Sequence, residues 1–274
     1  LSGNSLKKIQ TKVNIDLKLI SKWLRANKIS LNAGKTELIV FRHPSKVINF
    51  NLKIKINGKR IYESNYVKYL GILIDPHLKW NFHVDLLAPK LSRALGMLSK
   101  LRHLVNSTTL RSIYYAIFSS LLTYASIVWG QNQNKFIERI TKLQDKAIRI
   151  INFASFNESR GELYKKTNIL KFKDQIKVSN FLLIHDHFSG TLPTSLNHFF
   201  TLVCNSHDHH TRAVTKMFYS LPKIRTSIYG IRSIIYQSIQ EWNYFMHTLA
   251  NHSLHKKSKF ICKKIITNHL ISSY

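Results

Sequence analysis

Ile54-Lys55-Ile56-Asn57-Gly58-Lys59-Arg60-Ile61-Tyr62 decides the first part of the fold. Asn and Gly both tolerate positive φ, so Asn57-Gly58 between two apolar runs predicts a tight hairpin joining Ile54–Ile56 to Arg60–Tyr62. Upstream, Ile29–Leu31, Leu38–Phe41 and Ile48–Ile56 are further β-type runs, punctuated by Asn32-Ala33-Gly34 and His43-Pro44-Ser45. Downstream, Val67–Ile74 is nearly continuous apolar sequence and is expected to be the most buried strand. Ahead of all these, Leu6, Ile9, Val13, Leu17, Ile20 and Leu24 recur in steps of three and four, one helix stripe within Ser5–Lys28.

Past Asp75-Pro76 the period changes from two to 3.6. Leu87, Leu91, Ala94, Leu98 and Leu101 mark a helix in which Pro89 is either a kink or the true start. Ser107-Thr108 offers an N-cap for a helix through Trp129, closed by Gly130. Phe136, Ile140, Leu143, Ala147 and Ile150 repeat the stripe, and the three helices are expected to bury one core as a bundle. Beyond Asn152 the pattern loosens. Glu162–Lys166, Lys171–Phe188, Ile231–Met246 and Phe260–Leu270 read as helices, with Gly190–Pro222 irregular. The fold class is α+β: a small antiparallel sheet layer (1–75), a mostly α-helical bundle (76–153) and a basic, partly helical remainder (154–274).

The 274 residues carry 42 Lys+Arg against 13 Asp+Glu, a net charge of +29, and are 44% hydrophobic. That apolar content supports a core, and the charge calls for a polyanionic partner to offset self-repulsion. Cys204 and Cys262 make neither a disulfide scaffold nor a Cys₄ zinc site, which points to a reducing compartment. Leu1 in first place reads as a fragment or processed chain, and no signal-peptide pattern follows it. Localisation is expected to be nuclear or cytoplasmic, not secreted. Ile113–Asn134 lacks charge but is interrupted by Tyr114, Tyr115, Ser119, Ser120, Thr123, Tyr124 and Ser126, too short and too polar to span a membrane.

The thirteen acids are dispersed, with no adjacent pair and no Asp-x-Asp, and Asp16, Glu138 and Asp145 read as solvated helix charges. Metal-assisted catalysis needs converging carboxylates, so no cofactor is expected for this chain. Cys204, His207, His209 and His210 have metal-like donors without paired short spacings, and read as surface histidines facing a polyanion. Lys79, Lys90, Arg93, Lys100 and Arg102 are placed to meet a duplex backbone through phosphates alone, or else form a solvated basic face. After Glu241 no acid follows, while Lys256, Lys257, Lys263 and Lys264 do. Upstream, Phe218, Tyr219, Tyr229, Tyr236, Trp242 and Tyr244 interleave with Lys216, Lys223, Arg225 and Arg232, a mixture suited to RNA or single-stranded DNA, although many of these rings are expected in the core.

Leu31-Asn32…Lys35-Thr36-Glu37…Phe41, followed by Tyr69-Leu70-Gly71-Ile72-x-Ile74-Asp75…Leu78-x-Trp80…His83, resembles the end of a reverse transcriptase domain of non-LTR retrotransposons, in the jockey-like and related LINE groups. Tyr114–Leu121–Tyr124, Val128-Trp129-Gly130, Leu143-Gln144-x-x-Ala147-x-Arg149, His209-His210-Thr211-Arg212, Arg225-Thr226, Gly230 and Trp242-Asn243 extend the resemblance over nearly the whole chain. It implies a late palm segment at Asn32–Phe41, a primer-grip strand at Lys68–Ile72 in which Tyr69, Leu70 and Gly71 meet the primer backbone, and a thumb at Leu78–Phe153. Taken from the residues alone, Tyr69-Leu70 is equally a core strand. Lys35 matches a position where such polymerases place a lysine near the leaving pyrophosphate; a solvated turn lysine is its plainer reading. The family's aspartate hairpin, which binds two Mg²⁺ in an intact parent, lies upstream of the helix near Ser5 and is implied to be missing here. The chain then reads as the template-primer-binding part of an RNA-directed DNA polymerase, with RNA and DNA as partners, no membrane, and no polymerase activity alone. A membrane-associated basic protein and a domesticated protein-interaction module are the rival readings.

Overall fold

The computed structural model describes residues 2–3, 5–46, 50–131, 135–155, 157–205 and 217–274. The chain forms two compact units, 1–83 and 84–274.

In the first unit, helix α1 (Leu6–Ala26) packs on strand β1 (Ile54–Ile56). Two side chains one turn apart on α1 complete the strand's free edge: Gln10 Oε1 accepts from Lys53 N (2.6 Å), and Asn14 accepts from Lys55 N (3.1 Å) while donating to Lys53 O (3.0 Å). The edge is thereby satisfied without a third strand. The α1 stripe is only half-buried, and Ile20 is exposed. β1 pairs antiparallel with β2 (Lys59–Ile61), Ile54 opposite Ile61, through an Asn57-Gly58 turn with φ of 49° and 82°. That is the expected hairpin, and Ile54 and Ile56 make β1 its buried strand.

Val67–Ile74 is not one buried strand. It is a second hairpin, β3 (Val67–Tyr69) against β4 (Ile72–Ile74), turning at Leu70 (φ 46°) and Gly71 (φ 84°). Two consecutive positive φ values set the twist that a two-residue hairpin needs, and they expel Leu70 to solvent. Among the described residues, Leu38–Phe41 contributes a single bridge, Leu38 to Glu63, rather than a strand, and Ile29–Leu31 forms none. Residues 48–49 of the Ile48–Ile56 run lie outside the described residues. Below the hairpins, buried Asp75 accepts from His77 N (3.0 Å) and Trp80 N (2.8 Å), folding a loop that leads into helix α2 (Asn81–Leu101).

α2 runs through Pro89, which therefore marks neither its start nor its end. Its Val84, Leu87, Ala88, Leu91, Ala94 and Leu98 are buried, as the stripe required. The segment expected as one helix to Trp129 is broken. Its cap is Asn106, whose Oδ1 accepts from Thr109 N (2.9 Å), not Ser107 or Thr108. α3 (Ser107–Ile113) widens into a π-helical turn at Tyr114–Ser119, continues as α4 (Ser120–Thr123), then bends at Ala125 (φ 48°) into α5 (Ser126–Trp129). The bend lets Gly130 meet helix α8 (Phe172–Phe188), where an added Cβ would lie 2.5 Å from Ile176 Cδ1. α6 (Lys135–Ile151) buries Ile137, Ile140, Gln144, Ala147, Ile148 and Ile151; Ile140 and Ala147 of the expected stripe are buried, while its Phe136, Leu143 and Ile150 are half-buried beside that face.

The remainder is better packed than its sequence pattern indicated. α7 (Arg160–Thr167) leads into α8, which packs against the Ile234–Thr248 and Lys259–Ser272 helices around one core. Phe181 stacks on Trp242 at 4.8 Å, and Tyr219 meets Trp242 edge-on at 5.8 Å. Trp242 and Tyr219 are therefore core, and truncation of such rings costs about 3–5 kcal/mol. No helix among the described residues is long and apolar enough to cross a membrane.

Candidate nucleic-acid interface

In the first unit, Asn32 folds the turn that carries Lys35. Its Oδ1 accepts from Gly34 N (2.9 Å), and its carbonyl accepts from Thr36 Oγ1 (2.9 Å) and Lys35 N (3.1 Å). Lys35 stands exposed on this short 3₁₀ turn. Tyr69, Leu70 and Gly71 occupy the tip of the second hairpin, with Tyr69 63% and Leu70 71% exposed. That decides against Tyr69-Leu70 as core strand. An exposed aromatic and an exposed leucine followed by a glycine form a protruding tip that a partner backbone can approach closely. Lys79 is exposed two residues before α2.

In the second unit, Lys90, Arg93 and Lys100 are exposed along one side of α2, spaced i, i+3 and i+10, with Met97 (49% exposed) between them. No acid is paired with any of the three among the described residues. Arg102 differs. It is half-buried, and its guanidinium lies over the Phe153 ring, 5.7 Å from the centroid. Lys256, Lys263 and Lys264 are exposed near and on the Lys259–Ser272 helix, beside Phe260 at 77% exposure. Lys257 is half-buried and holds the fold through its carbonyl, which accepts from His185 Nε2 (2.9 Å). Lys259 is engaged by Asp186 at 2.6 Å.

Within the second unit the exposed cations form a row on α2 and a cluster at the last helix. Among the described residues no group of three or more His, Cys, Asp or Glu could hold a metal ion, and His207, His209, His210, Arg212 and Lys216 lie outside the described residues. Sequence reasoning passed over a second row on α6. Lys135, Arg139, Lys142 and Lys146 recur at i, i+4, i+7 and i+11, and all four are exposed.

The chain is 27% identical over 164 residues to a probable RNA-directed DNA polymerase from transposon X-element of Drosophila melanogaster, covering 57% of this chain and 17% of that protein. It is similar to polymerases of non-LTR retrotransposons. The RNA-directed DNA polymerase from mobile element jockey of Drosophila funebris is 25% identical over 164 residues, 59% of this chain and 18% of the relative. A probable RNA-directed DNA polymerase from transposon BS of Drosophila melanogaster is 25% identical over 147 residues, 49% of this chain and 16% of the relative. The chain thus spans less than a fifth of the length of the curated relatives it matches. No family model and no solved structure matches it. The non-LTR reverse-transcriptase resemblance of the sequence motifs is borne out by these relatives.

Proposed function

We propose that this chain is a template-primer-binding region of a non-LTR reverse transcriptase, gripping nucleic-acid backbone without reading bases. The observation that carries this is the exposed, acid-free row of Lys90, Arg93 and Lys100 on α2, in a chain of net charge +29 similar to RNA-directed DNA polymerases. Cations spaced along one helix face match phosphates spaced along a strand, and each contact releases a condensed counterion. In this reading residues 1–75 act as a late palm segment with Tyr69, Leu70 and Gly71 against the primer, and 76–153 act as the thumb. Residues 154–274, with Lys256, Lys263 and Lys264, add affinity for single strands. Lys35 acts as a solvated turn residue. No cofactor takes part in backbone binding by these lysines and arginines.

The test is fluorescence anisotropy with an RNA–DNA hybrid duplex and a single strand at fixed salt. Lys90→Gln/Arg93→Gln/Lys100→Gln keeps strong helix formers on α2, and is expected to weaken hybrid binding more than tenfold. Lys256→Gln/Lys263→Gln/Lys264→Gln is expected to weaken single-strand binding more. Two variants that both bind like wild type would overturn the proposal.

A further inference from the structure

α2 and α6 run side by side in the second unit. Asp85 near the start of α2 pairs with Arg139 near the start of α6 (3.0 Å), and Arg102 just past the end of α2 lies over Phe153 just past the end of α6. The sequence offset is nearly constant, so the helices are parallel over about 25 Å. Between them lies a hollow of about 420 Å³ lined by Ser92, Leu95, Gly96, Ser99, Lys146, Arg149 and Ile150. At Lys146 it meets a second hollow of about 440 Å³, along Lys135, Glu138, Arg139, Lys142 and Leu143.

The walls differ in chemistry. The α2 wall is small: Ser92, Gly96 and Ser99 put almost nothing into the groove, and a Cβ on Gly96 would meet no atom within 4 Å. Leu95 and Ile150 give an apolar floor. The α6 wall is cationic. Arg139 is held by Asp85, and Arg149 by the carbonyls of Ser155 (2.7 Å) and Glu158 (3.1 Å). Lys142 and Lys146 have no acidic partner among the described residues; Glu138 is the single acid on the rim. At the far end Phe153 is 45% exposed, and the buried Nε of Arg102 above it finds no hydrogen-bond acceptor among the described residues.

We propose that this groove is a track for one unpaired strand of nucleic acid, with phosphates on Lys142 and Lys146, sugars over Leu95 and Ile150 past Gly96, and a base stacked on Phe153. The inference rests on the nucleic-acid reading above and adds a second, strand-specific surface to it. Charge selects a polyanion, and hollows of this volume accept a nucleotide-sized group rather than a duplex wall. The open aromatic end supplies the sequence-tolerant stacking that single strands use.

Gly96→Leu tests this sterically. It fills the groove without touching any charge, and leucine is the better helix former. Fluorescein-labelled 12-mers of oligo-U and oligo-dT and an RNA–DNA hybrid duplex are titrated by anisotropy. Gly96→Leu is expected to weaken both single strands at least tenfold and the hybrid less than threefold. Lys142→Gln/Lys146→Gln, on exposed positions that leave packing alone, is expected to reduce the single-strand salt slope by about 1.4, two contacts at 0.7 each. Phe153→Ala is expected to weaken single strands alone. Single-strand binding unchanged in Gly96→Leu and in the lysine pair, or equal loss of single strand and hybrid, would overturn the groove assignment while leaving the α2 row intact. Wild-type protein that binds neither probe would overturn the nucleic-acid reading, and the groove with it.

Discussion

Replacing Gln144 by Met tests how the helical bundle is tied to the remainder of the second unit. Gln144 is fully buried on α6 and makes three hydrogen bonds. Its Nε2 donates to the Tyr114 hydroxyl (3.1 Å) and to the Leu170 carbonyl (3.0 Å), and its Oε1 accepts from Phe172 N (2.8 Å). Phe172 is the first residue of α8, whose N-cap Lys171 offers no side-chain bond, so Gln144 satisfies one of the orphan amides of that helix from outside it. Met has nearly the same shape and no bonding capacity. The exchange forfeits about 1 kcal/mol net for each bond and leaves the Phe172 amide and Leu170 carbonyl unsatisfied, for a total of about 3–5 kcal/mol. Thermal unfolding followed by far-ultraviolet circular dichroism is expected to show a midpoint lower by roughly 6–20 °C. Tyr114→Phe removes only one acceptor and is expected to cost about 1 kcal/mol. A Gln144→Met protein as stable as Tyr114→Phe would refute the claim that this amide caps α8.

Glu241 gives a pH prediction. Burial raises its pKa to about 7 from the ordinary 4.5; Lys177 opposes the shift and Asp174 adds to it. The folded state therefore binds the extra proton, and the stability it confers is full below about pH 4.5 and lost as pH rises through about 7. Glu241→Gln, neutral throughout, is expected to flatten the urea-unfolding free energy between pH 5 and 7.5 and to exceed wild type at pH 7.5 by up to about 3 kcal/mol; a wild type whose stability rises over that range would contradict this. Because the thirteen carboxylates are dispersed, primer extension by the 274-residue chain on an RNA template is expected to stay at background with Mg²⁺ or Mn²⁺. Template-dependent nucleotide incorporation would sink that expectation.

Where local chemistry dictates geometry, the sequence was readable. Asn57-Gly58 specifies its own turn, and the three-four spacing of Leu87, Leu91, Ala94 and Leu98 specifies the buried face of α2. The Leu70-Gly71 turn was hidden because a leucine with positive φ is rare, so an apolar run read as one strand. The same applies at Ala125, where the chain bends among apolar residues with neither Gly nor Pro to announce it. The core around Phe181 and Trp242 joins segments more than fifty residues apart, which no local period reveals. For the site, the α2 row was legible as exposed cations on an amphipathic helix. The α6 row was not, because Glu138 and Asp145 made that face look like an ordinary solvated one. In the structure Asp145 turns away to Arg160 (3.1 Å) and Tyr164 (2.9 Å), and among the described residues Lys142 and Lys146 have no acidic partner along the groove.

The central claim is that this chain grips nucleic-acid backbone by its cations. It is tested most directly by the salt dependence of wild-type affinity for a hybrid duplex and a single strand. Backbone binding through several phosphates predicts log affinity falling linearly with log salt, at about −0.9 per contact on duplex DNA and −0.7 on single strands. With the three cations of the α2 row engaged, the duplex slope is expected near −3 or steeper, with little change between probe sequences. A slope near zero, or affinity that follows base sequence while ignoring salt, would contradict the account.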